Sequence, residues 1–322
     1  MTFNVFTTGV CLCACLTLFG QKPTFTNLAP ASAHLKAQRL ETGINSPAAD
    51  FAPVRYGDRT YFTSIQLVKE KNVTYRASRI YSFTPGETPR LEMELNSKKS
   101  GTHIANVALM PDASRMYYTV CKDDQQTKCE IWYRDRAYGG TWSAPKRMPD
   151  HINQRGYTTT QPTIGWGQSL KKFVLFFASD RPGGAGKLDI WASPITWDGQ
   201  FEAPYPLPIN TPEDDVTPFF HRTSQTLFFS TNGRKGNGRF DIYQSMKSTD
   251  GQWSEPANLG RPFNTAYDDL YFTLHEGSHM AYLTSDRPGS ISNGAVDGWE
   301  CYDLYKIELT NPALEKAMVT VE

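Results

Sequence analysis

Apolar and polar positions alternate along this chain in short runs, and the runs recur. Residues 175–193 read LFFASDRPGGAGKLDIWAS and residues 227–245 read LFFSTNGRKGNGRFDIYQS, and Phe177 to Asp189 aligns with Phe229 to Asp241 without a gap at a step of 52 residues. A third copy at 280–308 repeats the Ser-Asp-Arg-Pro-Gly turn around an enlarged loop, a fourth lies at 116–133, and a divergent fifth at 60–83. Each is an apolar β-rich run, a polar Gly-containing loop and a second run of alternating apolar positions, which is the pattern of a hairpin. The spacers GTWSAPKRMPDHIN (140–153), GQFEAPYPLPINTPEDD (199–215) and GQWSEPANLGRPFNTAYDD (251–269) follow three of the copies. In each, a Gly turn leads into a Trp or Phe strand that Pro confines to a sheet edge, because Pro cannot donate to the ladder. A short run then opens the next unit: Gln161 to Ile164, Thr217 to Phe220, and Leu270 to Thr273. Four strands per unit is the content of a propeller blade, and units of this period bury their apolar faces only by stacking on neighbours.

The two ends of the pattern complete each other. Gly43-Ile44-Asn45-Ser46-Pro47 with Asp50 copies Pro208-Ile209-Asn210-Thr211-Pro212 with Asp214, so the chain enters on the tail of a blade whose front half is missing there. The last copy lacks that same edge strand. Residues near Leu35–Glu41 are therefore expected to supply the outer strand of the final blade and close the ring. The expectation is an all-β propeller over 35–310 with five four-stranded blades; six would need a further unit that the sequence does not display. Composition agrees, since 16 Tyr, 18 Phe, 7 Trp, 24 Gly and 21 Pro suit many short strands joined by tight turns.

Charge narrows the partners. Lys+Arg and Asp+Glu are both 33, so there is no basic excess to displace counterions from a phosphate backbone, and nucleic acid is not an expected partner. Residues 1–20 carry no charge, and Val10 to Phe19 reads as the apolar segment of a signal peptide, too short to span a bilayer. That predicts a leader at 1–20, a linker at 21–34 and a C-terminal tail at 311–322, with export to the periplasm or outer membrane. The alternative reading of the leader is a lipobox around Leu12-Cys13-Ala14-Cys15 that would lipidate Cys15. Beyond the leader, Cys121 and Cys129 bracket one hairpin loop and are the disulfide candidates, while Cys301 reads as a buried thiol. No further ligands stand at metal-site spacing, so neither a metal nor another cofactor is expected.

Candidate chemistry gathers in the turns. Asp180-Arg181 and Asp286-Arg287, with Arg234, recur in equivalent loops, which points to structure: Asp caps its own turn and Arg ties the loop to the neighbouring strand. Asp50, Asp214, Asp215, Asp268 and Asp269 fall just before the first strands of successive units, where carboxylates would converge on one mouth of a central channel. There they would stand as solvated turn acids that keep the edges soluble, bind a cation or ligand, or, at suitable separation, perform glycosidic acid–base chemistry. His221 and His275 follow first strands and are further candidates, and Trp299 and Tyr302 in the enlarged loop are candidate interface anchors. No nucleophile elbow, phosphate-cradling loop or zinc-protease pair is present.

The repeats resemble the TolB-like, WD-type β-propeller repeats of bacterial envelope proteins, often found beside OmpA-like domains. The resemblance is carried by Ser179-Asp180-Arg181-Pro182-Gly183-Gly184 through Asp189-Ile190-Trp191, by the counterparts Asn232 to Tyr243 and Ser285 to Tyr305, and by Trp253-Ser254-Glu255-Pro256 with Asn258-Leu259. It implies an interaction module without intrinsic catalysis. The leading expectation is thus a non-catalytic scaffold that binds an envelope protein or cell-wall component; its rival is a glycan-active hydrolase using the carboxylates at the channel mouth.

Overall fold

The computed structural model describes residues 35–309, except 42, 71–72, 97–100, 123–127, 138–139, 276–278 and 291–301. The leader, Cys15, Cys301, Trp299 and the tail lie outside the described residues.

Twenty strands form five four-stranded antiparallel sheets, with no helix among the described residues. The first blade is β2 (Asp50–Tyr56), β3 (Arg59–Glu70), β4 (Val73–Phe83) and β5 (Arg90–Leu91); the second is β6 (Thr102–Leu109), β7 (Arg115–Lys122), β8 (Cys129–Asp135) and β9 (Lys146–Arg147). The third is β10 (Thr159–Gly167), β11 (Lys172–Ser179), β12 (Asp189–Pro194) and β13 (Tyr205–Pro206), and the fourth is β14 (Asp215–His221), β15 (Thr226–Thr231), β16 (Asp241–Met246) and β17 (Ala257–Asn258). The fifth joins β18 (Asp269–His275), β19 (Met280–Ser285) and β20 (Asp303–Glu308) to β1 (Ala37–Arg39), which pairs with β20 through Ala37↔Ile307 and Arg39↔Tyr305. The expected five-bladed propeller and its closure by the N-terminal strand are both present.

Each fourth strand is short because its sequence cannot extend the ladder. Trp142, Phe201 and Trp253 make only isolated bridges, to Arg136, Ile195 and Lys247, before Pro interrupts pairing. An asparagine then completes every edge. Asn210 donates to the Ile190 carbonyl at 3.0 Å and accepts the Ile190 N–H at 2.9 Å. Asn45 does the same for Leu304, Asn96 for Ile80, Asn153 for Ile131 and Asn264 for Ile242. The repeated arginines lash the turns as expected: Arg181 donates to the carbonyls of His151 and Ile152 and lies over Phe177 and Trp191, and Arg287 reaches the carbonyls of Pro262 and Phe263. Burial pulls the Arg181 guanidinium down to about 10.

Five apolar clusters fill the wedges between adjacent blades, the last formed by Leu40, Phe62, Phe83, Tyr282 and Leu304 where the fifth blade meets the first. Phe176 stacks on Phe220 at 5.2 Å between the third and fourth blades, and Phe228 meets Phe272 at 4.6 Å between the fourth and fifth. Such ring pairs add about 0.5–1.5 kcal/mol each beyond the area they bury. Gly165 permits the first pair, since a Cβ there would fall 2.7 Å from both rings. Cys121 and Cys129 face each other across β7 and β8 and are joined by a disulfide.

Candidate functional site: a cup in the central channel

The innermost strand of every blade slips register once, between Phe51 and Val54, Ala105 and Ala108, Thr160 and Thr163, Val216 and Phe219, and Leu270 and Thr273. At each slip one non-glycine residue takes a left-handed backbone: Ala52, Asn106, Gln161, Thr217 and Tyr271, with φ between 52° and 55°. A residue held there costs on the order of 1–3 kcal/mol, so the surroundings must over-determine it. They do so with a girdle of hydrogen bonds. The N–H of Ala52 donates to Thr284 Oγ1, that of Asn106 to Thr63 Oγ1 and that of Gln161 to Thr119 Oγ1, each on the preceding blade. Ala178 occupies the corresponding place on the third blade and offers no hydroxyl, so the Thr217 N–H turns to Gln161 Oε1 at 2.8 Å, and Tyr271 N–H follows to Thr217 Oγ1 at 3.3 Å.

The five bulges put their side chains into the channel, where Gln161 Nε2 reaches from the third blade to the Tyr271 hydroxyl of the fifth at 3.2 Å. Asn106 is buried beside them with no hydrogen-bond partner for its Nδ2 among the described residues, and burial holds the Tyr271 phenol above its usual range. These residues make a polar floor. Between it and the C-terminal ends of the inner strands lies a cup of about 310 Å³, with Val54, Ala108, Ile164, Phe219 and Leu274 in its wall and Arg55, Tyr56, Arg222 and His275 toward its mouth. The floor is amide and hydroxyl, the wall is apolar, and no Asp or Glu among the described residues lines it.

The carboxylates named from the sequence stand beyond the floor, at the start of the inner strands. Asp50, Asp215 and Asp269 are buried and accept the backbone N–H of Ser46, Thr211 and Thr265, closing the connector ahead of each strand. Burial pushes Asp50 up to about 6 and raises Asp215. Asp214 accepts Leu188 N–H at 3.1 Å; Asp268 accepts Phe240 N–H at 3.0 Å and also holds Arg239 at 2.8 Å. Tyr302 donates to Asp268 at 3.0 Å, and its carbonyl accepts Asp50 N–H at 2.8 Å, so it joins the last blade to the first. His275 lines the cup; His221 is buried with its Nδ1 2.7 Å from Ser224 Oγ and does not. Reading the sequence thus picked one cup residue, His275, and missed the floor. A signal was present: Pro53, Pro162 and Pro218 directly follow three of the bulge residues inside runs that otherwise read as strands, and Pro inside a sheet marks a bulge or an edge.

No family model matches the chain, and no curated protein is similar to it. Solved structures do share its fold. The GH43 β-xylosidase/α-arabinofuranosidase CoXyl43 from a compost microbial metagenome is 11% identical with a TM-score of 0.53, over 89% of this chain and 98% of that one. An RGII complex of BT0996 is 12% identical with a TM-score of 0.52, over 87% and 93%. A thermostable family-43 glycoside hydrolase is 11% identical with a TM-score of 0.49, over 75% and 86%.

At these identities the likeness is one of fold, a five-bladed propeller. It corrects two expectations. A GH43 enzyme, CoXyl43, stands among the structural neighbours where TolB-like envelope repeats were expected, and a short repeat motif was too generic to separate them. The non-catalytic scaffold, and with it the expectation that the chain is not an enzyme, loses its support, which was that resemblance.

Proposed function

We propose that this chain is glycan-active, in the glycoside hydrolase class, and takes its sugar in the cup. The observation that carries the reading is the cup itself: one enclosed end of a five-bladed ring, within the roughly 300–1,000 Å³ range of small-molecule sites, with donors and acceptors converging on its floor. A sugar ring presents hydroxyls at its edge and C–H groups on its faces, which suits amide and hydroxyl groups below and aliphatic or aromatic groups around. Asn106, Gln161 and Tyr271 provide recognition, and the groups of the cup able to move a proton are Tyr56, Tyr271 and His275. Asp50, Asp215 and Asp269 lie past the floor under their caps, so proton transfer in the cup is assigned to these wall and floor groups. Export through the 1–20 leader belongs to the same proposal and is supported by the Cys121–Cys129 disulfide, since disulfides persist in oxidising compartments.

The test is turnover of 4-nitrophenyl α-L-arabinofuranoside, β-D-xyloside and β-D-galactoside, with binding of the corresponding sugars followed by calorimetry. Turnover of one of them, lost in Tyr271→Phe and His275→Ala while both variants keep a cooperative melt, supports the proposal. Wild-type protein that neither binds nor cleaves any of them, or variants that cleave as well as wild type, would overturn it.

A further inference from the structure

A second cavity, of about 400 Å³, opens between the second and third blades at the same end of the ring as the cup. Met110 lines both, so the two adjoin at that residue. Trp166, Phe173 and Trp197 supply its aromatic surface, with Trp166 edge-on to Phe173 at 5.0 Å. Among them stand polar groups: Ser114, Lys172, and an Arg115–Asp135 ion pair at 2.7 Å.

Trp197 sits on the turn between β12 and β13 and is 84% exposed. The molecule contains its own control for that residue. The corresponding turn of the fourth blade, 52 residues on, has Thr249 in the same place. Both turns make the same bonds: Thr196 N–H to Gln200 O and Ser248 N–H to Gln252 O, each 2.8 Å, and Gly199 N–H to Thr196 O and Gly251 N–H to Ser248 O, each 2.9 Å. Thr196 and Ser248 also both donate to the Asp two residues on. The turn therefore forms equally well without an indole, and nothing in its local structure calls for the largest apolar side chain to stand in water. An aromatic residue held out beside a cavity rimmed by other rings has a ligand-facing role as its physical reason.

We infer that this groove is an extended-chain subsite in which Trp197 stacks on a sugar ring of a polysaccharide whose end occupies the cup. The inference rests on the glycan reading of the cup and adds a substrate class to it: chains of several sugars in place of single units or disaccharides. Flat C–H faces of a sugar match the indole, and its hydroxyls match Ser114, Lys172 and the exposed edge of the ion pair, a mixture that a purely apolar protein segment would leave unsatisfied.

Calorimetry with β-1,4-xylo-oligosaccharides and α-1,5-arabino-oligosaccharides of two and six units tests this on wild type, Trp197→Thr and Tyr271→Phe. Trp197→Thr installs the residue of the sister turn, so folding is retained, and the melting temperature checks it. Wild type is expected to bind six units at least about tenfold tighter than two, the scale of losing one aromatic anchor, and Trp197→Thr to abolish that gain. Equal length dependence in wild type and Trp197→Thr overturns the groove and leaves the cup standing. Length-dependent binding lost in Trp197→Thr but untouched by Tyr271→Phe supports the groove and refutes the cup. Wild type that binds none of these chains, the result a protein-binding groove would give, overturns both.

Discussion

Ring closure depends on Asn45, and replacing it should open the propeller at one seam. Its carboxamide is buried and makes three bonds: Nδ2 donates to the carbonyls of Leu40 at 3.0 Å and Leu304 at 3.1 Å, and Oδ1 accepts Leu304 N–H at 2.8 Å. In Asn45→Ala the Leu304 carbonyl keeps a partner, because Leu40 N–H also donates to it at 2.9 Å. The Leu304 N–H does not, and a buried donor left without an acceptor costs about 1–3 kcal/mol. With the Leu40 carbonyl also losing its bond, the expected loss is about 2–3 kcal/mol, or roughly 3–5 °C in melting temperature for a domain of this size. Urea unfolding measures the loss, and hydrogen exchange locates it at Leu304 and the β1–β20 pairs. Asn45→Asp provides a sharper form of the test. Its second oxygen faces two carbonyls, so it is tolerated when protonated and repelled when charged. The folded state then binds the proton more tightly than the unfolded state does, and the deficit relative to wild type must grow as pH rises above about 4. A loss below about 0.5 kcal/mol in Asn45→Ala, or exchange unchanged at Leu304, would refute the claim that this amide latches the ring.

Two other predictions follow from the same geometry. Asp50 is raised from 3.8 to about 6 by burial, so its charge opposes folding: the penalty is absent below the unfolded value and complete above the folded one. Asp50→Asn, which keeps an acceptor for Ser46 N–H, should gain about 3 kcal/mol relative to wild type between pH 4 and 7, and a pH-independent difference in urea stability would contradict this. Closing the short Cys121–Cys129 loop restricts the unfolded chain, so Cys121→Ser with Cys129→Ser should cost about 2–3 kcal/mol in non-reducing buffer; the same loss should appear on adding reductant to wild type, and no loss in either would show the bridge to be idle.

What was legible in the sequence is whatever a repeat can encode locally. The interval from Phe177 to Asp189 specified a hairpin, the Pro residues of the spacers confined the fourth strands to the edge, and the copy of Pro208–Pro212 at Gly43–Pro47 placed the seam, so the blade count and closure could be read before any coordinates. A seam between the two ends was predictable because half a repeat at Gly43 had only one place to go. The capping Asp positions were visible too, but not which way they faced. They precede the inner strand, and only the ring shows that the cup begins beyond the bulge, leaving Asp50 and Asp215 on the other side of the floor. The floor joins Asn106, Gln161 and Tyr271 from three blades, which lie 55 and 110 residues apart and share no motif. Local pattern sets each strand, since it depends on neighbours along the chain. A channel depends on five inner strands converging on one axis, and their side chains meet only after every blade has packed.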